Sequence, residues 1–558
     1  MARARFLRKT FAGIGCALLL CAVLPAAGQS LPTQIDDPAR RLLDEERARQ
    51  RDERLTRPAP EIQTGVTSED DGRAPADYPE VEPTFAIRQI VLKGNTLFPE
   101  RDFEPILAPF RGLPLGLRRI NLLMRRLTAL YLERGYFTTR CYLGEQNLSE
   151  GVLSIDIVEG RFEALRYQNG APPPGVRMAF PSAAGDILRL QDLEQGIEQL
   201  NRLRRNRATL TVSPGEATGG SIIDIKNDEA DARYYSFGLD NGGQRSTGET
   251  RLRAGAEVNN LLSLEESLGL SYTGTERTNA ILFATSVPLG YQTLTYNFSY
   301  SDYMMPLGGY ALLFGDSVWH NLGWNLTLAR DRNGRDGIDV ALSHRQGKRF
   351  VNDLALTPQR LTSLRAAFAR YRQTNWGNWM GEIAWSQGLG LFGADRDLPN
   401  QPREAATSRF RKLAATLDFN VLIGQRWQWR TTANAQWTRN GLYGAEQMFL
   451  GGVSSVRGFE ESARSGDRGI MTRNELTWAG ATPLQRLGIR ARPYLFVDGG
   501  WVRQLAAADA ESLIGAGGGV RLAGHGASAE LVLGWPLKKP HAYIENGPRF
   551  AFSLNYSI

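Results

Sequence analysis

Few residues in this 558-residue chain have types and spacing suited to chemistry on small molecules. The four histidines, His320, His344, His525 and His541, are scattered, and no metal-ligand interval links them to one another or to cysteines. No metal and no cofactor is expected. Phe314-Gly-Asp-Ser-Val318 resembles an esterase nucleophile block. Such a block belongs near the start of a catalytic domain and needs a later Asp-x-x-His pair. Here it is read as a loop between strands, and that pair is lacking. No Gly-x4-Gly-Lys-Ser loop cradles a phosphate. The chain is therefore read as a non-enzyme, with no catalytic residues.

The exception is one cation. Arg457 stands in Phe449-Leu-Gly-Gly-Val-Ser-Ser-Val456-Arg457-Gly458-Phe459, followed by Gly466-Asp-Arg-Gly469 and Arg473-Asn474-Glu475-Leu476. Glycines let such a loop turn sharply and pack against a wall. A guanidinium carried into that packing cannot discharge, so it needs an acid. The candidate is Asp498, in Phe496-Val-Asp498-Gly499-Gly500. If Leu495, Val497 and Gly499 face lipid, then Tyr494, Phe496 and Asp498 line an interior, where the carboxylate needs a cation. Gly499 and Gly500 leave room for the loop backbone. An Arg–carboxylate pair can be bidentate, which fixes orientation. The expected role is a mechanical latch, and exchanging the two charges should recover part of its function.

The elements around this pair are strands. From about residue 231 to 558 the chain alternates: Trp427, Trp429, Thr431, Ala433, Ala435 and Trp437 against Gln428, Arg430, Thr432, Asn434 and Gln436. Leu294 to Tyr300, Leu322 to Leu328 and Leu413 to Val421 do the same. Trp427 and Trp437 are separated by roughly 33 Å of strand, about 23 Å of height at a 45° tilt, which matches the band between aromatic girdles. About sixteen strands are expected, closing a transmembrane barrel with residues 440–468 folded inward as a lid. The last, Phe550 to Ile558, puts Phe550, Phe552, Leu554, Tyr556 and Ile558 toward lipid. It departs from the usual terminal Phe.

The N-terminal part is different. Residues 1–28 read as a signal peptide: Arg3, Arg5, Arg8 and Lys9, an apolar run, then Ala26-Ala-Gly28. Removing those four cations takes the formal charge from +7 to +3, and no nucleic-acid partner is expected. Only Cys141 then remains, which excludes an internal disulfide. Within residues 29–57 a helix is expected from Asp37 to about 56. It is charged nearly all round, with Leu42, Leu43 and Leu55 too few to fasten it to a core. Residues 58–83, rich in proline, read as a linker. Residues 84–160 read as a β-α-α-β-β unit, its first strand running from Phe85 to Lys93 and its second from Phe137 to Leu143. Residues 161–230 repeat the plan.

These residues together resemble the two-partner secretion transporters, the haemolysin secretion/activation or TpsB family. Val456-Arg-Gly-Phe459, Gly466-Asp-Arg-Gly469 and Phe496-Val-Asp498-Gly499 look like that family's lid loop and its barrel-wall partner. Gly94-Asn-Thr-Leu-Phe98, Tyr131-Leu-Glu-Arg-Gly135-Tyr136 and Val158-Glu159-Gly160-Arg161 look like landmarks of its POTRA domains. The resemblance implies a 16-stranded antiparallel barrel in the outer membrane of a Gram-negative bacterium, two periplasmic α/β POTRA domains and an N-terminal plug helix in the lumen. The implied partner is a large, mostly β-helical exoprotein that docks its N-terminal secretion domain on the POTRA units. Outer-membrane lipid, periplasmic chaperones and the barrel-assembly machinery are the other expected partners. Two rival readings, a barrel-assembly factor and a passive porin, stay open at this point. Two POTRA units and a plug-like helix argue against the first, and docking domains against the second.

Overall fold

The computed structural model describes residues 38, 40–47, 72–307, 311–331, 333–507, 510–541, 543 and 547–558. The leader, residues 48–56 of the expected helix and residues 58–71 of the expected linker lie outside them.

The first α/β unit builds a three-stranded sheet with Val152–Val158 in the centre. Gln89–Lys93 runs parallel to it on one side and Arg140–Tyr142 antiparallel on the other. Helices Glu100–Leu107 and Leu117–Glu133 cover one face. Phe103, Leu123, Leu127, Leu153 and Ile155 form the core. Three expectations need correction. The first strand breaks: Phe85–Ala86 pairs with Pro114–Leu115, and the chain then crosses to the main sheet, so Ile87 and Ile90 are buried while Gln89 is exposed. The expected strand from Phe137 shortens, because Phe137 packs into the core of the second unit. Residues 72–83 are not a free linker. Glu80 accepts from the backbone N–H groups of Gly116, Arg118 and Arg119 at 3.0, 3.1 and 2.9 Å, capping the long helix from outside its own sequence.

The second unit repeats the sheet with Gly220–Asn227 central, Arg161–Tyr167 parallel to it and Ala208–Pro214 antiparallel. Besides the expected helix, here Leu190–Leu200, it contains Pro174–Ala179, which begins on a proline that suits a first turn.

Sixteen antiparallel strands, from Arg233–Asp240 to Arg549–Ser557, form a closed barrel. The two-residue strand Leu354–Ala355 adds a small hairpin at the end of Gly334–Val351. Closure comes when Ser553 to Ser557 pair with Asp240 to Ser236. Alternation sorts the two faces: Leu495 and Val497 are exposed outward while Tyr494, Phe496 and Asp498 are buried inward. Phe314 to Val318 lie within the strand Ala311–Asp331, not in a loop.

Residues 40–47 are helical inside the barrel. Leu42 and Leu43 are buried in an apolar cluster with Ala280, Leu282 and Trp319, on inward positions of two wall strands. Two leucines do fasten this charged helix, because the wall offers an apolar patch of matching size. The Leu190–Leu200 helix docks on the turns at the near mouth. Gln195 and Gln199 donate to Gly290 O at 3.1 and 2.9 Å. Arg330 pairs with Glu194 and Glu198, and Arg335 with Glu198.

Candidate functional site

The chain between the wall strands Trp427–Thr438 and Arg468–Trp478 turns into the lumen instead of rising above it. Met448–Leu450 pairs with Arg464–Gly466, which makes a short hairpin whose tip carries Val456 to Phe459. The fold of this lid follows from its composition. Leu450, Val456 and Phe459 are buried against Met471, Val502 and Leu513 of the wall. Gly458 has φ +95°, where a side chain is strained, and its Cα faces the backbone of Trp535. On the wall, a Cβ at Gly515 would collide with the carbonyl of Arg457, so glycine there lets the lid backbone touch the sheet. Room is also made at Gly500, beneath Leu450 and Val456. Gly499 points outward and makes none.

The lid base is pinned by Asp467. Its carboxylate accepts from Leu442 N at 2.9 Å, Gln447 Nε2 at 3.0 Å and Leu505 N at 2.7 Å. Arg468 Nε donates to Thr438 O at 2.7 Å.

At the tip, Arg457 is 2% exposed and Asp498 is wholly buried. Arg457 Nε donates to Asp498 Oδ2 at 2.7 Å and Nη2 to Oδ1 at 2.9 Å, a bidentate pair. The backbone N–H of Arg457 donates to the same Oδ2 at 3.1 Å. The guanidinium lies 3.8 Å from the centroid of Phe496, which shields it from water.

A second acid completes the site. Arg457 Nη1 donates to Glu475 Oε2 at 3.0 Å. Glu475 is also bound by Arg521, whose Nε reaches Glu530 Oε1 at 2.9 Å. Tyr494 Oη donates to Glu530 at 2.7 Å and lies beneath the Arg521 guanidinium. Two cations and three acids thus alternate across four neighbouring strands and the lid. Glu475 stands in the Arg473-Asn474-Glu475-Leu476 stretch with no role legible there, and Arg521 and Glu530 lie outside every motif. Inward parity was the available signal, since all three charged residues share it with Asp498.

The N-terminal helix touches the lid directly. Arg40 Nη1 donates to Gly444 O at 3.1 Å and its guanidinium lies 5.5 Å from the Phe449 ring. Arg41 Nη2 donates to Ser462 Oγ at 2.9 Å, and Arg251 of the wall pairs with Glu45 at 3.1 Å.

The landmarks of the α/β units hold their frame. Glu159 is buried and accepts from Thr96 N and Leu97 N at 2.6 and 3.1 Å, bracing the turn that begins at Gly94. Tyr131 Oη donates to Asn95 Oδ1 at 2.8 Å; burial, helped by the Glu159 carboxylate, pushes its phenol well above the usual range. Tyr136 N donates to Tyr131 O at 2.8 Å, Gly160 N to Thr139 Oγ1 at 3.3 Å, and Leu190 N to Gly135 O at 2.9 Å. The last bond joins the two units. Among the described residues no group of His, Cys, Asp and Glu is placed to hold a metal ion.

Comparison with known proteins agrees along nearly the whole chain. The family described as haemolysin secretion/activation protein ShlB/FhaC/HecB matches residues 219–522. A ShlB-type POTRA domain matches 85–160 and a further POTRA domain 161–214. The outer membrane transporter CdiB of Escherichia coli O6:K15:H31 is 33% identical over 433 residues, 75% of this chain and 73% of that protein. The hemolysin transporter protein ShlB of Serratia marcescens is 30% identical over 437 residues, 74% of this chain and 76% of that protein. The solved structure of CdiB from Escherichia coli superposes with a TM-score of 0.83 at 29% identity, covering 93% of this chain and 97% of that one.

Proposed function

We propose a secretion route from one premise: this chain belongs to the haemolysin secretion/activation protein family and is an outer-membrane transporter of two-partner secretion. Its barrel spans the outer membrane and its POTRA domains lie in the periplasm. The family moves secreted exoproteins, and transport, not catalysis, is the work assigned here. Following an expected leader over residues 1–28, the mature chain reaches the membrane by way of periplasmic chaperones and the barrel-assembly machinery.

The client is a large β-helical exoprotein. Its N-terminal secretion domain adds a strand to a free POTRA edge, for which Arg140–Tyr142, with Tyr142 and Leu143 exposed, and Ala208–Pro214 are available. Two obstacles then lie in the lumen: the plug helix, held by Leu42 and Leu43, and the lid, held by Arg457. Both must move for an unfolded chain to pass. Folding outside gives the motion its direction.

The observation that carries this reading is the buried Arg457 clamp between Asp498 and Glu475, at the tip of a hairpin whose chain continues into the wall strands at its base. Removing Arg457 leaves Asp498 buried without its cation, while Glu475 keeps Arg521, and this costs the lowered lid ~3–5 kcal/mol. Arg457→Ala should therefore impair secretion of the partner while the barrel stays inserted. The check is the amount of exoprotein in the medium at equal outer-membrane levels of transporter. Undiminished secretion overturns the latch.

A further inference from the structure

The loop after the strand Gly377–Leu389 presents two apolar side chains that neither lumen nor lid covers. That strand leads away from the POTRA domains, so the loop begins at the outer mouth. Instead of rising into solvent it folds against the outside of the wall. Thr362 Oγ1 donates to Leu391 O at 2.8 Å, and Thr362, an outward position, is completely buried beneath the loop. Because that hydroxyl proton goes to Leu391, His344 Nδ1 is the donor to Thr362 Oγ1 at 2.9 Å, and its Nε2 accepts from Gln346 at 3.2 Å. The oriented imidazole meets the Phe392 ring edge-on, 5.9 Å between centroids. Further along, Asp395 N donates to Arg360 O and Arg360 N to Asp395 Oδ2, both at 2.9 Å.

Pinned in this way, Leu391 and Phe392 remain 51% and 64% exposed. Phe392 also has φ +55°, in the left-handed region. A bulky side chain is disfavoured there, so its surroundings hold it against its preference.

The wall beneath explains what such a pair is for. On the two strands the loop covers, the outward apolar runs are short. One is Ile338, Val340 and Leu342, ending at His344; the other is Leu364, Ala366 and Phe368, between Thr362 and Arg370. Each spans four residue steps, ~13 Å of strand. Two strands further round, the run Leu413 to Ile423 spans ten steps, ~33 Å. Leu391 and Phe392 extend the apolar surface upward where the strands themselves fall short, next to outward-facing Trp385.

Two cations flank the pair. A Cβ at Gly390 would run into the Arg409 guanidinium, and one at Gly393 would have Arg360 Nη1 at 3.9 Å. The acids of the loop are turned onto backbone instead: Asp395 onto Arg360 N, and Asp397 onto Ser408 N and Arg409 N at 2.6 and 3.2 Å. Both arginines are exposed, and among the described residues neither side chain has an ion pair.

We propose that Gly390–Gly393, with Arg360 and Arg409, is a binding site for an acylated, phosphorylated lipid of the outer leaflet. Leu391 and Phe392 enter the acyl layer, and the two guanidiniums take phosphate oxygens, for which their planar fork is suited. The bound lipid restores the missing height of the apolar belt on this side of the barrel.

Two measurements on the full-length protein in vesicles test this. First, Phe392→Cys carries a nitroxide label in a background with the other cysteines replaced by alanine. Its collision rate with oxygen should exceed that with an aqueous nickel chelate, as at a Leu417→Cys control on the lipid-facing wall. An aqueous profile overturns the insertion. Second, protein is released from vesicles of phosphatidylethanolamine and a phosphorylated, multiply acylated glycolipid into native mass spectrometry. The retained glycolipid should fall about tenfold for each of Arg360→Gln and Arg409→Gln. Retention equal to the unsubstituted protein, or equal retention of the dephosphorylated glycolipid, overturns the phosphate site. Heat-modifiable mobility on gels confirms that each variant is a folded barrel.

Discussion

At the scale of the residue, Arg457 is held by more than one partner. Its side chain forks onto Asp498, its own backbone N–H donates to the same carboxylate, and its remaining nitrogen reaches Glu475. This changes what a charge exchange should do. A simple pair expects Arg457→Asp with Asp498→Arg to recover activity. In the clamp observed, Asp at 457 would face Glu475, and the backbone N–H at 457 would lose its acceptor. The double exchange is therefore expected to secrete no better than either single change. Recovery to half or more of normal secretion, at equal membrane levels, would show that Glu475 contributes little. Arg457→Lys keeps the charge but cannot fork, so it should fall between the unsubstituted protein and Arg457→Ala.

Single elements carry two further tests. The N-terminal helix is fastened by Leu42 and Leu43, each worth ~1.5–3 kcal/mol of apolar burial. Leu42→Ser with Leu43→Ser should raise single-channel conductance in planar bilayers toward that of a chain lacking residues 37–56. Unchanged conductance in both would mean that the helix does not obstruct the pore. The second test concerns the helix Leu117–Glu133, which starts at a glycine and borrows its cap from Glu80. Burial works to raise the Glu80 pKa, but four backbone N–H donors outweigh it and hold the carboxyl below its ordinary 4.5. A lowered folded-state pKa contributes stability that is present above the unfolded value and lost as pH falls through the folded one. Glu80→Ala should thus lower the melting temperature of a fragment spanning residues 72–230 by about 2–4 °C at pH 7. The difference should vanish near pH 2. A gap that persists there would assign the effect to packing instead of the charged cap.

For the whole molecule, transport requires the docking domains and the pore to act in series. The POTRA frame is knit internally by Glu159, Tyr131 and the Gly135–Leu190 bond. It is tied to the barrel through Gln195, Gln199 and the Arg330–Glu194/Glu198 pairs. Docking needs only the first set. Residues 72–230 alone should bind the partner's secretion domain in calorimetry, and proline at Val212, an edge position whose N–H points away from the central strand, should weaken that binding by removing a backbone donor. Loss of binding in the fragment with full binding by the intact chain would place the docking site on the barrel.

Period-two alternation, with aromatics near strand ends and a regular strand spacing, made the barrel and its approximate strand number legible, because most inward steps leave a polar residue and most outward steps an apolar one. Alternation also singled out Asp498: charge at an inward position, one loop away from a cation that cannot discharge, is legible in one dimension. The rest of the site was not legible. Glu475, Arg521 and Glu530 meet only because neighbouring strands pair in one register, Glu475 with Phe496 and Arg521 with Glu530, and register is a property of the closed sheet. The same holds for Glu80, whose helix lies 36 residues further along the chain. It holds again for Leu42 and Leu43, which look too few until the wall supplies Ala280, Leu282 and Trp319. Local pattern determined which residues turn inward; closure of the barrel decided which of them touch, since only closure brings distant strands and loops within the few ångströms over which charges and apolar groups act.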